Sequence, residues 1–369
     1  MGKSKTVLFM VTNGAGLGHL TRGLAVARRL KEMNPKLDII FYTTSLATEV
    51  IREAGFMFYY TPTKSVMPDS VTGTQWNQYI SRQLSDIIEI HHPIALVYDG
   101  AFPYIGLLSN LKAMNVRSIW IKRECYKKEI QNLEPIEALF DLVIVPKELS
   151  EDVCRDTIKK KYCEPIMFLD QEEAHAREQI RQMLKISEEE KLFYIQLGAG
   201  TINSTDAVIY NMMDIVLKNP SHRVLLGESI IGKQLECNHP HVFKIRSYPN
   251  SQYFKAIDYA VSAAGYNTFH ELLFFGIPTV FVPNMNTSMD DQLARVKMAE
   301  QKQACVCLEE DSSIDEYEQK IEEMLHVTCA MRKNALSLIK ENGARQAAYY
   351  IYQQIDAIHL RMNEISQKI

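Results

Sequence analysis

Two segments of the chain are built the same way, and that repetition limits the folds open to it. Thr6–Thr12 is a short β-rich run ending in Asn13-Gly14-Ala15-Gly16-Leu17-Gly18, after which Leu20, Leu24, Ala27 and Leu30 recur at helical spacing. Leu192–Leu197 is a second such run, ending in Gly198-Ala199-Gly200-Thr201 and followed by a helical pattern over Ala207–Leu217. The alternation continues after each. In the first half Leu37–Thr43, Phe56–Tyr60, Ala95–Tyr98, Ser118–Ile121 and Leu142–Val145 read as strands and Ala47–Glu53 as a helix. In the second half Arg223–Leu226, Val242–Ile245, Tyr259–Ser262 and Ile277–Val282 read as strands, with a helix over Thr268–Phe275 closed by Gly276. Strands that alternate with helices predict parallel sheets covered on both faces. The chain is therefore expected to form two doubly wound α/β domains, with a linker near Cys163–Asp170 and the charged run Gln171 to Lys191. A closing helix, Ala344 to Met362, has too many apolar positions to stand alone. The expected divisions are residues 1–168, 169–343 and 344–369.

Composition removes other classes. The 369 residues are enough for two cores, and 46% apolar with 23% charged residues is ordinary for globular chains. The longest apolar stretches, such as Val7–Val11, fall far short of the roughly 18 residues a membrane-spanning helix needs. The opening Met1-Gly2-Lys3-Ser4-Lys5-Thr6 has no apolar targeting region, so a cytoplasmic location is expected. Seven cysteines without a CxxC pair predict reduced thiols and no zinc site. A net charge of −4 argues against a nucleic-acid partner. Basic clusters at Lys122, Arg123, Lys127 and Lys128 and at Lys159–Lys161 read as solvated helix faces; contact with an anionic acceptor or lipid headgroups is the alternative.

The first glycine loop resembles a dinucleotide fingerprint but lacks its third glycine, where His19 stands. The second strand ends Phe41-Tyr42-Thr43-Thr44, without the acid that would hold a ribose. What remains is a turn that delivers a histidine to the top of a sheet. Asp99 follows the strand Ala95–Tyr98 and so reaches the same rim, where its carboxylate could orient the imidazole of a general base. A capping histidine and a turn-forming aspartate satisfy the same pattern.

The second half is more specific. Ser262-Ala-Ala-Gly265-Tyr-Asn267-Thr-Phe-His-Glu271-Leu-Leu-Phe-Phe-Gly276-Ile-Pro278, followed by Asp290-Asp291-Gln292, resembles the donor half of GT-B glycosyltransferases. The nearest likeness is to UDP-sugar-dependent enzymes, including the N-acetylglucosaminyltransferases of peptidoglycan lipid II synthesis and the UDP-glycosyltransferases. Gly16-Leu17-Gly18-His19-Leu20-Thr21-Arg22 resembles the opening loop of that superfamily, and Tyr98-Asp99-Gly100 the position of the aspartate that pairs with its catalytic histidine. The likeness spans nearly the whole chain. It implies two Rossmann-like domains facing across a cleft, with the closing helix crossing back to the first domain.

The resemblance also implies roles. His19 and Asp99 would be catalytic. Gly16, Gly18, Gly198, Gly200, Thr201, Ala264, Gly265, Tyr266, Asn267 and Thr268 would line the donor site, with the diphosphate at the helix that starts near Asn267. Glu271 would hold ribose hydroxyls, Asp291 and Gln292 the sugar, and Arg246, Ser247 and Tyr248 would meet the base. The expected reaction is inverting transfer from a UDP-sugar to a hydroxyl of a small-molecule, glycan or lipid-linked acceptor. No cofactor or metal is expected, and peripheral membrane contact is left open. A nucleotide-sugar hydrolase or UDP-sugar 2-epimerase of the same fold is the alternative, because such hydrolases carry a similar Gly-x-Gly-His-x-x-Arg loop. One departure stands out: the peptidoglycan enzymes carry an arginine after a proline at the end of the first domain, where this chain has Pro165-Ile166-Met167. Arg22 or Lys233 are the candidate substitutes as phosphate anchor.

Overall fold

A six-residue run buried along its whole length suits an interior strand of a parallel sheet. In the computed structural model Thr6–Val11 is that strand, β1, and all six residues are buried. The structure describes residues 5–12, 16–111, 116–127, 133–149, 155–198, 206–232, 234–287, 289–309 and 311–366. After β1 come α1 (Gly18–Met33), β2 (Asp38–Thr43), α2 (Thr48–Glu53), β3 (Met57–Tyr60), α3 (Gly73–His91), β4 (Ala95–Asp99), α4 (Ile105–Leu111), β5 (Arg117–Ile121), α5 (Glu134–Glu137), β6 (Leu142–Pro146) and β7 (Lys160–Cys163). Their strands form one parallel sheet in the order β3-β2-β1-β4-β5-β6-β7. The second unit runs α6 (Arg177–Leu184), β8 (Lys191–Gln196), α7 (Asp206–Leu217), β9 (His222–Gly227), β10 (Val242–Ile245), β11 (Tyr259–Ala263), α8 (Tyr266–Phe274), β12 (Thr279–Val282), α9 (Gln292–Gln301), β13 (Val306–Cys307), α10 (Ile314–His326) and α11 (Thr328–Leu338). Its sheet is also parallel, in the order β10-β9-β8-β11-β12-β13. In both sheets the order reverses beside the first strand of the unit. A crevice at the carboxyl ends of the strands belongs there.

The last helix, α12 (Ala344–Ser366), returns to the first unit. Ala344, Ala347, Ala348, Ile351 and Ile355 lie on one side at helical spacing and join the core around Leu20, Leu24 and Ala27 of α1. Small residues let the two helices approach closely, which meets the need of an apolar helix for a covering surface.

The chain crosses between the units at residues 164–170 and again near 341–346, and the crossings touch. Gly343 N–H donates to Pro165 O at 2.8 Å, and the Asn342 side chain accepts from Met167 N–H at 3.0 Å. A Cβ on Gly343 would fall 1.8 Å from the Glu164 carbonyl oxygen, so only glycine fits. Beyond this crossing the charged run Gln171 to Lys191 is no free linker. Arg181 within it is buried, pairing with Asp258 and donating to Glu190 O.

The basic clusters are not helix faces. Lys160 and Lys161 lie in the edge strand β7, where Lys160 pairs with Glu124 at 2.6 Å and Lys161 with Asp156 at 3.2 Å. Lys122 is buried against Glu137 at 2.6 Å, and Lys127 Nζ donates to the carbonyls of Met285 and Thr287. Lys128 lies outside the described residues. No helix among the described residues is long and apolar enough to cross a membrane.

Candidate active site

Register brings the first functional pair together. β1 and β4 are neighbours with Val11 beside Asp99, so Asp99 ends its strand next to the turn that starts α1. Helix α1 has no side-chain cap, and His19 and Arg22, three residues apart in its first turns, share one face. His19 Nδ1 lies 2.6 Å from Asp99 Oδ1. Arg22 grips the same carboxylate with a fork: Nη2 donates to Oδ1 at 2.6 Å and Nε to Oδ2 at 3.1 Å. Asp99 and Arg22 are buried, while the His19 side chain keeps 23% of its surface exposed.

The charges explain the protonation states. Burial alone would raise the Asp99 pKa, but Arg22 and His19 outweigh it and hold the carboxylate below its ordinary range. Burial lowers the His19 pKa; Asp99 opposes this, and Arg22 and Arg123 add to it, so the net shift is downward. A neutral imidazole that donates Nδ1–H to Asp99 carries its basic lone pair on Nε2. Arg22 Nη2 also lies 2.8 Å from Nδ1, and its positive charge disfavours the imidazolium.

Across the crevice α8 begins at Gly265, again without a side-chain cap. Two uncapped helix starts, α1 and α8, thus border one cavity of about 270 Å³. Free N–H groups and the positive dipole ends of helices suit an anion. Gly16, Gly18, Gly265, Asn267 and Thr268 line the cavity there. Asn267 joins the walls, its Nδ2 donating to Gly18 O at 3.3 Å, while its Oδ1 is buried with no partner among the described residues. Gly198 reaches the cavity with φ +91, a left-handed conformation that favours glycine.

Glu271 projects into the same cavity from the second turn of α8 and is 7% exposed. Its Oε1 accepts from Ser251 Oγ at 3.1 Å. Burial raises its pKa to about 7, against the opposing Ser251 hydroxyl and the Phe168 backbone N–H. Ser247 and Tyr248 line the far end, where Tyr248 donates to Thr21 Oγ1 at 3.1 Å.

Other expected residues stand elsewhere. The Arg246 side chain is exposed and ties down the loop after β9 by donating to Ile230 O and Gly232 O. Ala264 is fully buried, and its carbonyl accepts from Arg295 Nη1 at 2.7 Å. Asp291 caps α9 by accepting from Ala294 N–H at 3.0 Å, and the buried Gln292 accepts from Asn284 N–H. Neither lines the cavity, because a helix start consumes the one and a turn the other. Arg22 holds Asp99, so its charge is not spare for a phosphate. Gly200, Thr201 and Lys233 lie outside the described residues.

A buried ionic network beside the site was not anticipated. Arg123 and Glu148 of the first unit meet Asp290 and Arg295 of the second. Arg123 Nε donates to Glu148 at 3.0 Å, Arg295 Nε to Glu148 at 2.9 Å, and Arg295 Nη2 to Asp290 at 2.6 Å. Arg123 also binds Asp290, and the two arginines hold that carboxylate far below its ordinary pKa against the effect of burial. A backbone bridge, Tyr126 to Asp290, and the bond from Lys127 N–H to Met289 O complete the seam. The Tyr266 ring lies at its centre, with the guanidinium carbons of Arg123, Arg22 and Arg295 at 4.7, 5.0 and 5.9 Å from its centroid. Sequence offers a signal for Asp290 and Arg295, about one helical turn apart, but none for their partners 140 or more residues earlier.

Among the described residues no three His, Cys, Asp or Glu side chains gather as a metal site. Residues 223–351 match the glycosyltransferase family 28 C-terminal domain. The UDP-N-acetylglucosamine–N-acetylmuramyl-(pentapeptide) pyrophosphoryl-undecaprenol N-acetylglucosamine transferase of Alkaliphilus oremlandii is 21% identical, covering 95% of this chain and 98% of the relative. Among solved structures, the glycotransferase of kitacinnamycin superposes with a TM-score of 0.69 at 17% identity over 96% of this chain and 100% of that one. MurG of Acinetobacter baumannii gives 0.64 at 13% identity over 95% and 99%. The chain thus has the two-domain parallel-sheet fold of the GT-B glycosyltransferases, and its second half matches the glycosyltransferase family 28 C-terminal domain.

Proposed function

We propose that the chain transfers a sugar from a nucleotide-sugar, with UDP as the nucleotide, to an acceptor hydroxyl with inversion at the anomeric carbon and without a metal. The observation that carries this reading is the opposition of two walls. His19, paired with Asp99 at 2.6 Å, lies between Gly18 and Thr21, which line one cavity together with the open start of α8 and the buried Glu271. On this reading His19 Nε2 takes the acceptor proton as the oxygen attacks the anomeric carbon. The bond from that carbon to the diphosphate breaks, and its electron pair leaves with the phosphate toward the N–H groups of α8. Asp99 stabilises the imidazolium, and attack opposite the leaving group inverts the centre. Positioning of two substrates in one cleft supplies much of the acceleration. The acceptor is a soluble or lipid-linked alcohol, and the setting is the cytoplasm, with peripheral membrane contact for a lipid-linked one.

A thermal-shift panel of UDP-, dTDP-, GDP- and CMP-sugars tests donor binding, because a ligand that binds only the folded state raises the melting temperature. UDP-sugars are expected to give the largest shift. Incubating the preferred donor with an alcohol acceptor should form glycoside at a rate that EDTA leaves unchanged. Rapid stoichiometric release of free sugar without acceptor would make the protein a hydrolase instead. Loss of activity on chelation, restored by magnesium or manganese, would refute the metal-free account.

A further inference from the structure

The donor cavity holds a second acid for which the proposed reaction has no use. Sheet order places β9 two strands and β10 three strands from β11, whose end leads into α8. At about 4.8 Å per strand, their ends lie roughly 10–14 Å from the α8 start. That is the reach of an extended nucleoside diphosphate whose phosphates sit at α8 and whose ribose sits at Glu271. The base end is therefore formed by Glu228, Ser229 and Ile230 after β9 and by Ser247 and Tyr248 after β10, all of which line the cavity.

Glu228 is 6% exposed and firmly held. Its N–H donates to Ile245 O at 2.8 Å, and its Oε1 accepts from Leu235 N–H at 2.9 Å. Gly232 N–H bonds Ser229 O, and the Arg246 staples on Ile230 and Gly232 fix the rest of the loop. No cation pairs with Glu228 among the described residues, and its second carboxylate oxygen has no protein partner among them. Glu228 lines the cavity, so a ligand there can offer that oxygen a donor.

We propose that Glu228 selects the base of the donor nucleotide by accepting a ring N–H. This rests on the nucleotide-sugar reading and deepens it. Uracil and thymine present N3–H and guanine presents N1–H on the edge that pairs in nucleic acids. Cytosine and adenine present a ring-nitrogen lone pair at the same place, which a carboxylate repels. The site thus takes the first three bases and rejects the last two.

UDP and CDP differ there and barely in size, so their affinities, measured by titration calorimetry on the full chain, isolate the effect. UDP should bind at least tenfold tighter than CDP, the scale of one hydrogen bond to a charged group. UDP methylated at N3 should bind as weakly as CDP. Glu228→Gln keeps an oxygen for Leu235 N–H and replaces the other by NH2; the UDP-to-CDP ratio should fall by tenfold or more. The N3-methyl comparison uses the unaltered protein and stands even if the variant folds poorly. Equal binding of UDP, CDP and N3-methyl-UDP, or an unchanged ratio in a folded Glu228→Gln, would overturn the assignment while leaving the donor site intact. Failure of every nucleotide to bind would overturn the donor reading along with it.

Discussion

Asp99 and Glu271 are buried acids of the two units, Glu271 lining the cavity and Asp99 lying behind His19, and they have opposite characters. Asp99 has Arg22 on both oxygens and His19 on one, so it stays charged with no access to water. Glu271 has a hydroxyl and a backbone N–H, neither of them charged, and burial takes its pKa up to about 7. The difference lies in the partner rather than in depth. A carboxylate with its own cation is a fixed part, suited to holding a base in one tautomer. One without is poised, and its charge is completed by whatever hydroxyls arrive.

The largest expected effect comes from the fixed side. His19→Ala should lower turnover by about 10²–10⁴, with UDP affinity little changed, because the His19 side chain does not line the donor cavity. Asp99→Asn should act in the same direction, and the double variant should lose far less than the product of the two, since the residues act as one unit. Asp99→Asn also leaves Arg22 charged and buried, so it should cost about 3–5 kcal/mol of stability as well. Independent, multiplying losses would break the pairing.

Replacing Arg22 sharpens the comparison, because it makes Asp99 resemble Glu271. Without the guanidinium, one of the causes that lower the His19 pKa is gone. In Arg22→Met the acid limb of the kcat/KM profile should move to higher pH, and melting temperature should drop. An unmoved limb would show that Arg22 is only structural.

The smallest effect belongs to Glu271. Glu271→Gln should weaken UDP by roughly 1–3 kcal/mol. Ribose hydroxyls favour the charged carboxylate, so wild-type affinity should rise as pH increases to about 7 and level off above, and the variant should lose that dependence. Stability has the opposite sign. A raised folded-state pKa gives stability that is present below the unfolded value and lost as pH rises through about 7. Unliganded Glu271→Gln should therefore melt higher than wild type at pH 8 and no higher near pH 4.

The interior strands were legible because parallel sheets leave apolar runs such as Val7–Val11, and the His19–Asp99 meeting was legible because both sit at strand ends of one rim. Helix α3 was overlooked, although Thr72 and Gln75 form a capping box and Trp76, Ile80, Leu84 and Ile87 are its buried face. Strand β7 left no trace, since a partly exposed Lys160-Lys161-Tyr162 edge has no apolar run to read. Arg22 could be placed on the face of His19 by spacing, but nothing local says that its anion is Asp99, 77 residues away. Asp291 is spent on the cap of α9, which the donor motif around it does not indicate. Pairings such as Glu148 with Arg295 depend on how two domains meet, which no local pattern encodes.

The two touching crossings at Pro165 and Gly343 have a mechanical consequence. Bodies joined along one short line can swing about it, as a door does, but cannot slide apart. The Arg123–Asp290 seam fastens the same two bodies a second time, beside the crossing through Tyr266 and Ile166, so that parting them there would return four buried charges to water.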